Sequence, residues 1–230
     1  MSAWDYQQAL STGRWFAGLP EPLQRQLLSC AQLIQLTTGE RLFARGDAFD
    51  GIYCVVKGAL RIVGYSEAGK EALLTMAEPY TWFGEIALFD QLQRTHDAVA
   101  DSMSTVLRIP AHPLFTLLHQ QPEYWFWFGL LLSQKMRFAF IALEAAAVLP
   151  LHLRLARRLV LMAEGYGELA GHSRRLLPVS QEQLANMLSV SRQTINQVLR
   201  QFEAQHVIKI HYREIEIIDL EGLRHYESSL

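Results

Sequence analysis

The chain has 230 residues, half of them hydrophobic, and a formal net charge of -2. That length suffices for one large domain or two modest ones with a real core; the charge excludes a uniformly basic, nucleic-acid-coating chain but not a local basic face. Two cysteines, Cys30 and Cys54, are too few for a four-cysteine iron–sulfur cluster, a closed structural zinc site or a disulfide framework, which fits a reducing compartment. The opening MSAWDYQQAL has neither a basic n-region nor an apolar h-region, so no secretory signal and a cytoplasmic location are expected.

The first thirty or so residues read as short helices, with Leu23, Leu27, Leu28 and Leu33 at helical spacing in PEPLQRQLLSCAQL. From Leu36 to Ile109 the texture changes. Gly39, Gly46, Gly51, Gly58, Gly64, Gly69 and Gly84 punctuate the runs RLFA, GIYCVV, ALRIVGY, EALLTMA and STVLRIP. Runs of strand length between turn residues predict an all-β sandwich or barrel. Inside this region GEIALFDQLQRTHDAVA carries Glu85, then the pair Arg94 and Thr95, then His96 and Asp97. A carboxylate and an arginine at this range can clamp a sugar phosphate or close on each other as an internal salt bridge; both readings stand.

From Ala111, HPLFTLLHQQPEYWFWFG predicts a short helix, a break before Pro122 and a long helix. Tyr124 to Leu149 approaches membrane-span length, but Gln134, Lys135, Arg137 and Glu144 interrupt it, and cations near a bilayer centre are costly, so no membrane association is expected. Trp125, Leu132, Ala139 and Ala146 recur every seventh residue, with Gly129, Met136 and Leu143 between them. That is the a/d pattern of a parallel homodimer seam; packing on the chain's own core is the other reading and suits the aromatic first turn. Pro150 stops the helix, making Leu149–Pro150 a hinge. The expected domains are residues 1–121 (effector-sensing β-domain), 122–149 (dimerisation helix) and 150–230 (DNA-binding). LHLRLARRLVLMAEG is then an amphipathic helix ended by Gly165, and YGELAGHSRR a polar loop.

SQEQLANMLSVSRQTINQVLRQFE, Ser180 to Glu203, has the parts of a helix-turn-helix. Ala185 is the small residue where two helices cross, and Leu184, Leu188, Val190, Ile195 and Val198 supply the facing apolar set. Ser180 and Gln183 form a capping box for the first helix and Ser191 caps the second; Ser189 takes the turn position, where glycine is more comfortable. Arg192, Gln193, Thr194, Asn196, Gln197 and Arg200 follow on the second helix, where arginine suits guanine and glutamine or asparagine suits adenine. From His172 to Arg213 there are six cations (Arg174, Arg175, Arg192, Arg200, Lys209, Arg213) against two anions (Glu182, Glu203), a net charge of +4 suited to phosphate. HVIKIHYREIEIIDL then alternates as two short strands, a wing.

GERLFARGD, GIYCVVKGALRI, FGEIAL, RTHDAVA and VSRQTINQVL together resemble the cAMP receptor protein/fumarate-nitrate regulator (Crp–Fnr) family of bacterial transcription factors, from about Ala17 to Leu220. The resemblance implies an α+β chain: an N-terminal cyclic-nucleotide-binding-type β jelly roll, a long dimerisation helix and a C-terminal winged helix-turn-helix. It also implies a homodimer on a palindromic double-stranded DNA site, contact with RNA polymerase, and no enzymatic activity. Arg192 and Gln193 fall on base-reading positions, but Gln193 and Gln197 stand where the cAMP receptor protein has glutamate and arginine, so a different half-site is expected.

In the family's cyclic-nucleotide members the glutamate binds the ribose and the arginine pair clamps the phosphate. Gly84, Glu85, Ile86, Ala87, Arg94 and Thr95 match that set, with a loop one residue shorter than in the cAMP receptor protein. His96 and Asp97 replace apolar residues, and the Thr-Ser pair that recognises adenine falls on Ala139 and Phe140, which cannot bond an exocyclic amine. The effector is therefore a cyclic nucleotide such as cAMP, another small acid, or none, with Glu85 and Arg94 paired to each other and Asp97 a further partner for the arginine. Haem is a further alternative through His112, His119 or Cys54, although no spacing selects a ligand set. A metal-dependent jelly-roll enzyme would need a His-x-His pair, which the sequence lacks.

Overall fold

The computed structural model describes residues 2–67, 69, 71–167, 169 and 173–227. It divides into two compact units, Met1–Met136 and Arg137–Leu230.

The first unit opens with three short helices, α1 (Gln7–Leu10), α2 (Arg14–Gly18) and α3 (Glu21–Cys30), of which α3 buries Leu23, Leu27 and Leu28. Leu33 does not continue that face. The backbone is already extended at Ala31 (φ -68, ψ 143), and Leu33 lies on β1 (Gln32–Leu36), opposite Leu107. There follow β2 (Arg41–Phe43), β3 (Gly51–Lys57), β4 (Leu60–Tyr65), β5 (Glu71–Ala77), β6 (Trp82–Phe83), the helical turn α4 (Ile86–Asp90), β7 (Asp97–Ala100) and β8 (Ser104–Pro110). They form two antiparallel four-stranded sheets, β1-β8-β3-β6 and β2-β7-β4-β5.

Alternation along β3 explains why GIYCVV reads as a continuous apolar run. Tyr53 and Val55 join the core between the sheets, with Leu60, Ala98, Ala100 and Val106. Ile52, Cys54 and Val56 join a second core against the helices, with Phe16, Leu23, Leu27 and Trp82. A strand covered on both faces has no solvent side to carry polar residues. The latter core also takes in Leu114, Leu117 and Leu118 from α5 (Ala111–Gln120).

After a 3-10 turn, Pro122–Tyr124, comes α6 (Trp125–Val148). Tyr124, Phe128 and Leu131 are core residues of the first unit, and the Trp15 indole donates to the Trp127 carbonyl at 2.7 Å. The segment Pro122–Val148 is long and apolar enough to cross a membrane by length and composition (mean hydropathy 1.2). Its first turns are instead committed to a protein core.

In the second unit Ala145 of α6 and Leu149, the residue after its end, pack on Leu153 of α7 (Leu151–Ala163). Pro150, extended at φ -65 and ψ 158, separates the two helices. Four residues of the YGELAGHSRR loop, including His172, lie outside the described residues. Then come β9 (Leu176–Leu177), α8 (Gln181–Leu188), α9 (Arg192–Ala204), β10 (Ile208–His211), β11 (Glu214–Ile217) and α10 (Leu220–Glu227), with sheet order β10-β11-β9. The core is built from Leu155, Leu159, Leu177, Leu184, Ile195, Leu199, Phe202 and Leu223, all buried.

Candidate functional site

Helices α8 and α9 are held at both N-termini by the expected serines. Ser180 Oγ accepts from the Gln183 amide at 3.2 Å while Gln183 Oε1 accepts from the Ser180 amide at 2.8 Å. Ser191 Oγ accepts from the Thr194 amide at 3.0 Å. Between the helices Ser189 is left-handed at φ +56, and the Val190 amide donates to the Ala185 carbonyl at 3.0 Å. Serine pays a steric penalty at such a position that glycine does not, and the tight connection is formed nonetheless. Ala185 is 3% exposed, which leaves no room for a longer side chain at the crossing.

Arg192, Gln193, Gln197 and Arg200 project into solvent. Asn196 is used differently. Its amide donates to Gln181 Oε1 at 2.9 Å, and its carbonyl accepts from Arg200 Nε at 3.3 Å. It braces α9 against the start of α8 and steadies Arg200. The wing turns at Tyr212–Arg213, with Arg213 left-handed at φ +57 and Tyr212 92% exposed.

In the first unit Glu85 and Arg94 are both buried, at 2% and 4% exposure, but they do not pair with each other. Glu85 accepts from Lys135 Nζ on α6 at 2.7 Å. Arg94 Nη2 donates to Asp50 Oδ1 at 2.7 Å and to the Gly51 carbonyl at 2.6 Å, while Nη1 donates to the Gly84 carbonyl at 3.0 Å. The guanidinium also lies over the Phe43 ring, 4.5 Å from its centroid, with Phe49 and Tyr53 at 5.1 and 5.4 Å.

Gly84 makes this approach possible: at its φ of +91 a Cβ would stand 2.8 Å from Arg94 Nη1. At Gly51 (φ +147) a Cβ would stand 2.2 Å from the Ile109 carbonyl oxygen, so glycine there lets the start of β3 lie against β8. Asp97 is not an Arg94 partner either. It accepts from Arg41 Nη1 at 3.0 Å and from the Arg45 amide at 2.7 Å, which pins the start of β7 to β2 and the turn after it.

Asp50, at the head of β3, is the hub of the arrangement. It also accepts from the Tyr53 hydroxyl and from Arg108 Nη1 at 3.3 Å. Burial pushes its carboxyl up, but hydrogen bonds from Tyr53 and Arg94 and the charges of Arg94 and Arg108 outweigh that and hold it below the usual value. Beside Arg94, Arg45, Gly46, Gln93, Thr95 and His96 line part of a hollow of ≈ 700 Å³. Thr95 Oγ1 meets His96 Nδ1 at 2.9 Å; burial, then the charge of Arg45, lowers the His96 pKa.

The sequence reading missed Asp50, Lys135 and the Phe43–Phe49–Tyr53 cage. Lys135 left a trace, as a cation in an otherwise apolar helix. Nothing in the spacing links Asp50 to an arginine 44 positions later.

Along α6 the seam residues Trp125, Gly129 and Leu132 are half-buried, whereas Met136, Ala139, Leu143 and Ala146 are exposed. Phe140 is 61% exposed. Among the described residues no group of three or more His, Cys, Asp or Glu side chains is placed to hold a metal ion.

A family model described as a cyclic nucleotide-binding domain matches residues 33–121, and one described as a Crp-like helix-turn-helix domain matches residues 153–226. Together they cover more than half of the chain. The protein belongs to the Crp–Fnr family of transcription regulators. Among its relatives is the "CRP-like cAMP-activated global transcriptional regulator" of Mycobacterium tuberculosis, 25% identical over 209 residues, which are 90% of this chain and 93% of that protein. The "Transcriptional regulator SdrP" of Thermus thermophilus is 27% identical over 180 residues, 78% of this chain and 85% of that one. In structure the chain resembles FixK2 of Bradyrhizobium japonicum, with a TM-score of 0.76 at 17% identity, covering 87% of this chain and 98% of that one; this likeness speaks to the fold. Within the Crp–Fnr frame, residues 33–121 are a cyclic-nucleotide-binding-type domain whose two matched charged residues both have internal partners.

Proposed function

We propose that the protein acts as a cytoplasmic homodimer that binds a palindromic double-stranded DNA site and controls transcription through RNA polymerase. In this reading the chain is organised as residues 1–121 (sensor), 122–149 (dimerisation helix) and 150–230 (DNA-binding domain). One observation carries the reading: a doubly capped, tightly turned helix pair that leaves Arg192, Gln193 and Gln197 exposed on the first turns of its second helix, with Arg200 exposed one turn further on. Phosphate contacts fall to Ser180, Ser191 and Thr194 at the two helix starts, where backbone N–H groups converge; Asn196 supports Arg200 and reads adenine only by leaving Gln181.

The exposed seam on α6, Met136, Ala139, Leu143 and Ala146, supports dimerisation through this helix. A contiguous apolar stripe on one helix face is what a partner helix covers. For the sensor, relatives named for activation by cAMP favour a cyclic-nucleotide-like effector held by Gly84, Glu85, Ile86, Ala87, Arg94 and Thr95. A specific observation favours a second reading, in which this pocket is vestigial: Glu85 is already neutralised by Lys135 and Arg94 by Asp50.

Selection of bound duplexes from a random pool by the full-length protein tests the reading. It predicts two inverted half-sites about one helical turn apart, with adenine favoured opposite Gln193. Recovery of a single unrepeated element would sink the dimeric part, and recovery of no element the whole.

A further inference from the structure

We propose that Arg154 is a positioning residue for DNA reading: from α7 it grips the carbonyl that closes α8 and so holds the left-handed turn from which α9 departs. The inference rests on the reading of α8 and α9 as the DNA-binding pair and names a residue outside that pair on which its geometry depends.

Arg154 lies in the first turn of α7, where its own amide donates to the Pro150 carbonyl at 3.1 Å. Its Nη2 donates to the Leu188 carbonyl, 34 residues on, at 2.8 Å. Leu188 is the last residue of α8, and carbonyls of a last turn have no donor inside their own helix. The Ser189 amide serves the Ala185 and Asn186 carbonyls and the Val190 amide serves Ala185 again; the Leu188 carbonyl is met by Arg154. A guanidinium there also faces the negative end of the helix dipole, and a charged donor makes the stronger hydrogen bond. The gripped carbonyl belongs to the peptide plane that leads into Ser189. That residue stands at φ +56 and ψ +42, a conformation that costs serine energy glycine does not lose. The bond from Arg154 favours the plane in that orientation and offsets part of the cost. Two residues later Ser191 caps α9 and Arg192 begins it, so a shift in the turn re-aims the whole reading face. Arg154 itself is half-buried and projects from α7, not from α9 with Arg192, Gln193 and Gln197, so it acts through the turn.

The test uses the full-length protein as wild type, Arg154→Met, Arg154→Lys, Ser189→Gly and the double variant Arg154→Met/Ser189→Gly, with far-ultraviolet circular dichroism reporting that each is folded. Methionine keeps the apolar stem and removes the donor; lysine keeps a charged donor; glycine removes the cost of the left-handed turn. Hydrogen exchange at the Ser189 and Val190 amides reads the turn directly. It should be at least about fivefold faster in Arg154→Met, as the loss of one charged hydrogen bond implies, close to wild type in Arg154→Lys, and slowed again in the double variant. Fluorescence anisotropy on the selected and a scrambled duplex reads the consequence. Arg154→Met should lower the preference for the selected duplex by at least about fivefold, and the double variant should recover it. A merely structural role would lower both affinities equally, as would a phosphate contact. Unchanged exchange in Arg154→Met, an equal loss on both duplexes, or no recovery in the double variant would overturn the proposal. If Arg154→Met alone fails to fold, a folded double variant supports the proposal and an unfolded one overturns it. Wild type without a duplex preference counts against the regulator reading, and the exchange rates then judge the grip of Arg154 on the turn by themselves.

Discussion

Replacing Arg94 by alanine distinguishes an arginine that waits for a ligand from one that holds the fold. Arg94 has three internal acceptors, so its loss is expected to register as a loss of stability. The change removes a buried ion pair, two hydrogen bonds to backbone carbonyls and a cation stacked over Phe43. Breaking a buried pair from one side costs about 3–5 kcal/mol. Asp50 is 44% exposed and keeps Tyr53 and Arg108, so its share of that cost is reduced by rehydration. The two carbonyls that lose a donor restore part of it, at about 1 kcal/mol each. The expected loss is about 3 kcal/mol, or a fall in Tm of roughly 10 °C for a unit of this size. All five tryptophans, Trp4, Trp15, Trp82, Trp125 and Trp127, lie in the first unit, so urea unfolding followed by tryptophan fluorescence reads this transition selectively. A loss below about 1 kcal/mol, the value of an exposed pair, would refute the internal role of Arg94.

Ala185→Leu should abolish specific DNA binding while leaving the tryptophan-reported transition unchanged, because overpacking the crossing of α8 and α9 costs about 1–3 kcal/mol; gel shift and urea unfolding check the two halves. Ser180→Ala removes the reciprocal cap of α8 and should lower second-unit stability by about 1 kcal/mol, measured by far-ultraviolet circular dichroism. Met136→Glu, at a position 51% exposed in the single chain, should leave that chain folded but monomeric in sedimentation velocity; an intact dimer would exclude this seam. The Asp50 carboxyl is held below its ordinary value. Its stabilising contribution is therefore fully present above the unfolded pKa of about 4 and lost as pH falls through the lower folded value. Asp50→Asn should accordingly flatten the acid limb of the first unit's stability profile below about pH 4.

Elements that carry their own local signal were legible in the sequence. Ser180 with Gln183, Ser191 three residues before Thr194, and Ala185 among leucines specify α8 and α9 by capping and size, within one short window. GIYCVV specifies β3 by its length and unbroken apolarity. Elements defined by tertiary pairing were not. DAVA has a charged start and two alanines, poor strand formers, yet β7 is buried throughout because β2 and β4 flank it. β1 was absorbed into the preceding helix because Leu33 falls one turn beyond Ser29 and Cys30, where only the extended backbone at Ala31 ends the pattern. The pocket divides the same way. Gly84, Glu85, Arg94 and Thr95 could be named from their order along the chain, but their partners could not, since Asp50 and Lys135 reach them across 44 and 50 residues. The acid nearest the arginine in sequence, Asp97, opens β7 while Arg94 lies in the loop before it, and Asp97 is taken by Arg41 and the Arg45 amide instead.

The most direct test of the central claim is fluorescence anisotropy of the full-length protein on its selected duplex and on a scrambled one, at two salt concentrations, for wild type and Arg192→Ala. A sequence-reading α9 predicts that wild type prefers the selected duplex by about 10³-fold or more. It also predicts that Arg192→Ala loses about 1–3 kcal/mol on that duplex, with little change on the scrambled one. Equal affinity of wild type for both duplexes, or an Arg192→Ala loss of the same size on both, would contradict it.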